Sequence, residues 1–139
     1  LILNPEWQRG HVWTRAQQIS FMEYFLKGGG FGRNLYFNCS SWMDNFNTPI
    51  YCLDGLQRIT AALAFMNGEI PVFGKKLSEW GGSLRTVRNN FILNMFKLKS
   101  KKELLKVYLD FNSGGTPHDP KEIKRIQEMM ERTKDTEIL

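Results

Sequence analysis

Apolar and polar positions along this chain fall into blocks whose period switches several times between helix-like and strand-like. The first helical block runs from Arg15 to Lys27, with Ile19, Met22 and Leu26 on one side and Phe21 and Phe25 beside it. Thr14, with Gln17 three residues on, supplies a capping box, and Gly28-Gly29-Gly30 ends the helix. Upstream, Leu1 to Trp13 is apolar but broken by Asn4-Pro5 and Gly10, and reads as an extended segment and loop. Two short β segments are predicted next, Asn34–Asn38 and Ile50–Leu53, with a polar, aromatic-dotted loop from Ser40 to Pro49 between them. The clearest period predicts a helix over Gln57–Met66, where Ile59, Ala62, Leu63 and Met66 form one apolar stripe. Asn67-Gly68 stops it. Ile70-Pro71-Val72-Phe73 then reads as a short edge strand, because proline cannot donate to a ladder, and Trp80-Gly81-Gly82 reads as loop. Phe91–Phe96 fits a buried strand or a helical turn equally. Ser100 and Glu103 make a second capping box for a helix Lys101–Phe111, with Leu104, Leu105, Tyr108 and Phe111 on its inner face. Asn112-Ser113-Gly114-Gly115 closes it. Asp119, Pro120 and Glu122 then open a last helix that runs to about Arg132. The pattern predicts an α+β domain with few short strands and four helices.

A length of 139 residues suits one domain with one core, over residues 1–139. Hydrophobic residues make 42% and charged residues 24%, which argues against disorder. No apolar run has the length that spans a bilayer, and no leader pattern opens the sequence, so no membrane partner is expected. The missing initiating Met and the abrupt stop after Leu139 predict a piece of a longer protein. Cys39 and Cys52 lack metal-ligand spacing and offer no disulfide framework, which predicts reduced thiols and a cytoplasmic setting. His11 and His118 are the only histidines; with the cysteines they lack the spacing of a zinc site, and they are too few for a histidine-rich metal nuclease.

A net charge of +5 and a pI near 9.3 suit a polyanionic partner. The basic residues crowd between Lys75 and Lys106, and DNA contact and plain solubility explain that crowding equally well. Lys97, Lys99, Lys101 and Lys102 are the candidates for DNA phosphates. Trp7, Trp13, Phe21 and Phe25 read as core aromatics, whereas Trp42 and Phe46, in a polar loop, are better placed to stack on a base. His11 fits a general base or an ordinary hydrogen-bonded loop residue.

The turn Asp54-Gly55, between a strand and a helix, carries the most chemistry. It leaves the first N–H groups of the helix facing the crevice beyond the strand, a ready anion site helped by the helix dipole. Gly55 would let a phosphate approach the backbone, and Arg58 could place its planar fork on the same anion. The plainer alternative is that Asp54 caps, Gly55 turns and Arg58 is a surface residue.

Leu53-Asp54-Gly55-Leu56-Gln57-Arg58-Ile59-Thr60-Ala61-Ala62-Leu63 resembles the DGQQR signature of the N-terminal domain of GmrSD-type restriction proteins. Pro5 to Trp13 is similar to that family's upstream P-x-x-QR-x-x-x-W segment, and Phe111 to Pro117 to its downstream F-x-x-N-x-GG-T-P loop, with a shortened spacing before Asn112. The resemblance implies a ParB/sulfiredoxin-like fold, a bound nucleoside triphosphate, and work on DNA in restriction, defence or its evasion. It implies Asp54, Gly55, Gln57 and Arg58 at the phosphate end, with Asp54, Gln57 and Arg58 as catalytic candidates. Gln8 and Arg9 would sit across the pocket, and Asn112, Gly114 and Gly115 would close it. Asp54 would hold a Mg2+ bridging the phosphates, since its own charge otherwise repels them.

One departure stands out. Position 56 is Leu where the signature has Gln, and where sulfiredoxin has its reactive cysteine, so a sulfiredoxin-like reductase is excluded. In an exposed first turn, Leu56→Gln would be tolerated and would restore the amide. The family's full-length proteins also use a histidine-bearing nuclease domain, which predicts such a domain or a partner protein. The expectation is a nucleotide-binding domain acting on or with DNA, with weak or no triphosphate hydrolysis. Its alternatives are an active nucleotide-dependent endonuclease or NTPase and a non-enzymatic DNA-binding regulator.

Overall fold

The computed structural model describes residues 13–81, 89–113 and 120–139. The elements are α1 (Arg15–Leu26), β1 (Asn34–Asn38), β2 (Tyr51–Asp54), α2 (Leu56–Met66), α3 (Leu77–Trp80), β3 (Ile92–Phe96), α4 (Lys101–Ser113) and α5 (Pro120–Arg132). The architecture is α+β, with a three-stranded sheet in the order β2-β1-β3. β1 and β2 are antiparallel, with Phe37 opposite Cys52 and an irregularity between Tyr36 and Phe37. The Ile92 N–H donates to Arg33 O and the Cys39 N–H to Phe96 O, so β3 climbs in the same direction as β1 and the sheet is mixed.

Several boundaries move from the sequence reading. β2 begins and ends one residue later, because Asp54 still pairs with Tyr36. Phe91–Phe96 resolves to a strand over Ile92–Phe96. Ile70–Phe73 is not a ladder strand: Val72 bridges only Lys75, across a two-residue turn in which Phe73 and Gly74 both have positive φ. Trp80 ends a one-turn helix instead of lying in a loop, because the Glu79 carboxylate accepts from the Lys76 N–H at 2.8 Å and holds that turn. α3 raises the count among the described residues from the four helices expected to five. α4 runs on through Asn112 and Ser113, which were expected to close it.

The chain divides into two compact units. One takes the described residues of His11–Leu35 and Gly55–Ile92, with α1 against α2. Its core is Met22, Phe25, Ala61, Ala62, Ala64, Phe65, Ile70 and Val72. The α2 stripe expected at Ile59, Ala62, Leu63 and Met66 is rotated: Ala61, Ala62, Ala64 and Phe65 are buried and Met66 is 64% exposed. α2 is apolar nearly all round, so its period fits more than one face, and three alanines let α1 come close. Phe25 and Phe91 stack at 4.3 Å, and Phe21 joins them with Trp13 5.5 Å away, which makes these aromatics core. The α1 capping box forms as read, with Gln17 N–H on Thr14 Oγ1 and Thr14 N–H on Gln17 Oε1.

The other unit takes Tyr36–Asp54 and the described residues of Leu93–Leu139. Its core is Leu53, Leu104, Leu105, Tyr108 and Ile126, with α4 packed on β2 and α5. Leu104, Leu105 and Tyr108 follow the inner face expected of α4, and Phe111 is half-buried against Tyr36 at 4.6 Å. Asn38 is wholly buried; its amide donates to Leu98 O at 3.0 Å and accepts from Leu98 N–H at 2.8 Å. Among the described residues, no helix is long and apolar enough to cross a membrane.

Candidate functional site

Gly55 caps α2 in the left-handed region, at φ 108° and ψ 13°, where a side chain is strained. A Cβ built there would lie 2.5 Å from Leu35 Cδ2, so glycine is required twice over. With no cap side chain, the first hydrogen bond of the helix is Ile59 N–H to Gly55 O at 2.9 Å. The first-turn N–H groups thus receive no side-chain cap from Gly55. Asp54, half-buried, is the last residue of β2 and precedes the cap directly.

Both polar side chains of the first turn are engaged. Arg58 Nη1 donates to Gly32 O at 2.6 Å and to Asn34 O at 2.8 Å. Its Cδ would stand 3.1 Å from a Cβ at Gly32, where φ is +76°, so the glycine-rich loop closes tightly onto this side chain. Gln57 Oε1 accepts from the Trp13 N–H at 3.2 Å. Trp13 also lines a shallow recess of about 470 Å³ with Gln17, Ser20, Phe21 and Tyr24. The same loop is tied from outside by Asn89, whose amide donates to Phe25 O and Gly29 O. Leu56 is buried, at 8% exposure, so the exposed first turn expected for it is corrected. The helix directs this side chain inward, away from any ligand that reaches the cap.

The structure therefore brings Gly55, Gln57 and Arg58 together, directly after Asp54. Asn112 lies in the last turn of α4, and its side chain is outside the described part, as are residues Gln8, Arg9, Gly114 and Gly115. Among the described residues, no group of three or more His, Cys, Asp or Glu could hold a metal ion. The carbonyl partners of Arg58 carry no side-chain signal.

Three of the four lysines named for DNA stand beside acids. Lys97 meets Asp44 at 3.5 Å, Lys101 meets Glu137 at 3.5 Å, and Lys102 meets Asp135 at 2.8 Å. Lys99 borders a recess formed with the loop after β1. At the root of that loop the Cys39 thiol is buried among Ser41 and Thr48. Burial pushes this thiol up, but hydrogen bonds from Thr48 and Ser41 and the charge of Lys97 outweigh it, and the net shift is downward.

The family described as GmrSD restriction endonuclease, N-terminal domain, matches residues 1–136. The chain belongs to that family, whose setting is restriction and defence. No curated protein and no solved structure matches it.

Proposed function

We propose that this domain binds the phosphates of a nucleoside triphosphate at the Gly55 cap of α2 and serves a DNA-directed restriction or defence system. The observation that carries the reading is the left-handed glycine cap, which adds no side chain over the first turn of α2. Family membership supports the DNA setting. The recess beside Trp13, whose N–H meets Gln57, offers an aromatic wall for the nucleoside. Asp54 would hold Mg2+, which would offset the charge of the phosphates, and Arg58 would add positive charge. For Arg58 that contribution is made while Nη1 stays on its two carbonyls.

Turnover is slow or absent in this reading. The barrier to phosphoryl transfer is lowered by donors and charges aimed at the transition state, and the polar side chains of this first turn, Gln57 and Arg58, are already held by the Trp13 N–H and by two carbonyls. Calorimetric titration with the common triphosphates and Mg2+ should show one site, with inorganic tripolyphosphate competing for it. Phosphate release should stay close to the uncatalysed background. Absence of heat with every triphosphate and with tripolyphosphate would remove the site.

A further inference from the structure

The loop after β1 has features that the nucleotide reading does not use. Met43 and Phe46 both have positive φ, 66° and 55°, a region that side chains rarely adopt. Such strain persists only where the surroundings over-determine it. Here they do: Ser41 Oγ and Thr48 Oγ1 lie 2.7 Å apart, each accepts the other residue's backbone N–H at 3.0 Å, and Cys39 packs beneath them. The brace closes the loop at its neck and pushes its apex outward. The apex is apolar, with Met43 73% exposed and Phe46 55% exposed. Trp42 backs Phe46 edge-on at 5.4 Å.

Around this apolar tip the chemistry is polar and basic. Asn45, Asn47 and Lys99, together with Asp44, line a recess of about 270 Å³ at the loop's side. Lys97 reaches the loop through Asp44, at 3.5 Å. Asp44 opposes an anion, but its pair with Lys97 is exposed and weak enough to open. Apolar side chains flanked by asparagines and lysines match the needs of a protein that wedges into the minor groove of DNA. Met or Phe parts a base step, Asn reads the groove edge, and Lys takes the phosphates.

We propose that the loop Ser40–Thr48 is a minor-groove wedge for duplex DNA, with Met43 and Phe46 inserted at a base step and Lys97 and Lys99 on the flanking phosphates. The proposal rests on the DNA reading above and is independent of the nucleotide site. Glycine accepts positive φ, so Met43→Gly and Phe46→Gly remove the wedge while relieving the backbone. Anisotropy with a labelled duplex should show each variant binding about tenfold or more weaker, with no fall in thermal midpoint. Lys97→Ala and Lys99→Ala should each flatten the salt dependence by about one unit of slope, and Asp44→Asn should tighten binding. A doubly end-labelled duplex should shorten end to end in the wild-type complex, as a kink requires, and stay long with Phe46→Gly. Straight DNA in the wild-type complex, or glycine variants that bind as tightly as wild type, would overturn the wedge while DNA binding stood. Failure of the wild-type protein to bind duplex even in dilute salt would overturn both.

Discussion

Leu56 shows how one side chain can differ from its motif for a reason of packing. The first turn of a helix is often solvated, and from the sequence alone glutamine would be tolerated there. In the fold the side chain is buried, at 8% exposure, so an amide would have to enter a place shaped for a hydrocarbon. Leu56→Gln should therefore lower stability by about 1–3 kcal/mol, read as an earlier urea midpoint at unchanged slope. It should leave triphosphate turnover where it was. Gly55 was legible at this scale, because an Asp-Gly turn between strand and helix demands a residue free of Cβ constraints. The role of Arg58 was not. Its partners are the carbonyls of Gly32 and Asn34, and every residue has a carbonyl, so nothing in the sequence marks these two.

Between elements, Arg58 ties the start of α2 to the approach of β1, and the geometry asks for a planar head. One guanidinium nitrogen serves two carbonyls while the rest of the fork lies alongside Gly55. Lysine is a point charge on a flexible stem and lacks that fork. Arg58→Lys should cost about 1–3 kcal/mol and raise hydrogen exchange in the segment Gly29–Leu35, compared with wild type at the same pH. The caps of α1 and the extent of β1 were read correctly because their determinants are local: a Thr, a Gln three residues on, a run of Leu-Tyr-Phe. The buried face of α2 was misread because too many of its positions are apolar. The turn at Val72–Lys75 was misread because a proline beside apolar residues imitates an edge strand.

For the molecule as a whole, the net charge of +5 is not concentrated on the four lysines singled out, since acids stand against three of them and offset their charge locally. The pair of Lys102 with Asp135 gives a test. Its hydrogen bond and charge hold the Asp135 carboxyl below its ordinary range, so its small stabilisation is present above the unfolded carboxylate range and fades as pH falls through the folded one. Both partners are exposed, so Asp135→Asn should barely change the thermal midpoint at neutral pH, and the remaining difference from wild type should vanish in acid. The α+β class was legible because helical and strand periods alternate; the placement of β3 was not, because its partner β1 lies far back in the sequence. That distance sets an order of assembly. β1 can zip to β2 early, across the loop of residues 39–50, whereas β3 must close a much longer one before any contact rewards it. Until it does, the Asn38 amide keeps its water, and the bonds to Leu98, two residues past β3, are what replace that water when the segment covers it. A strand arriving out of step would leave that amide orphaned, so the chain carries within its first hairpin a check on how the last strand docks.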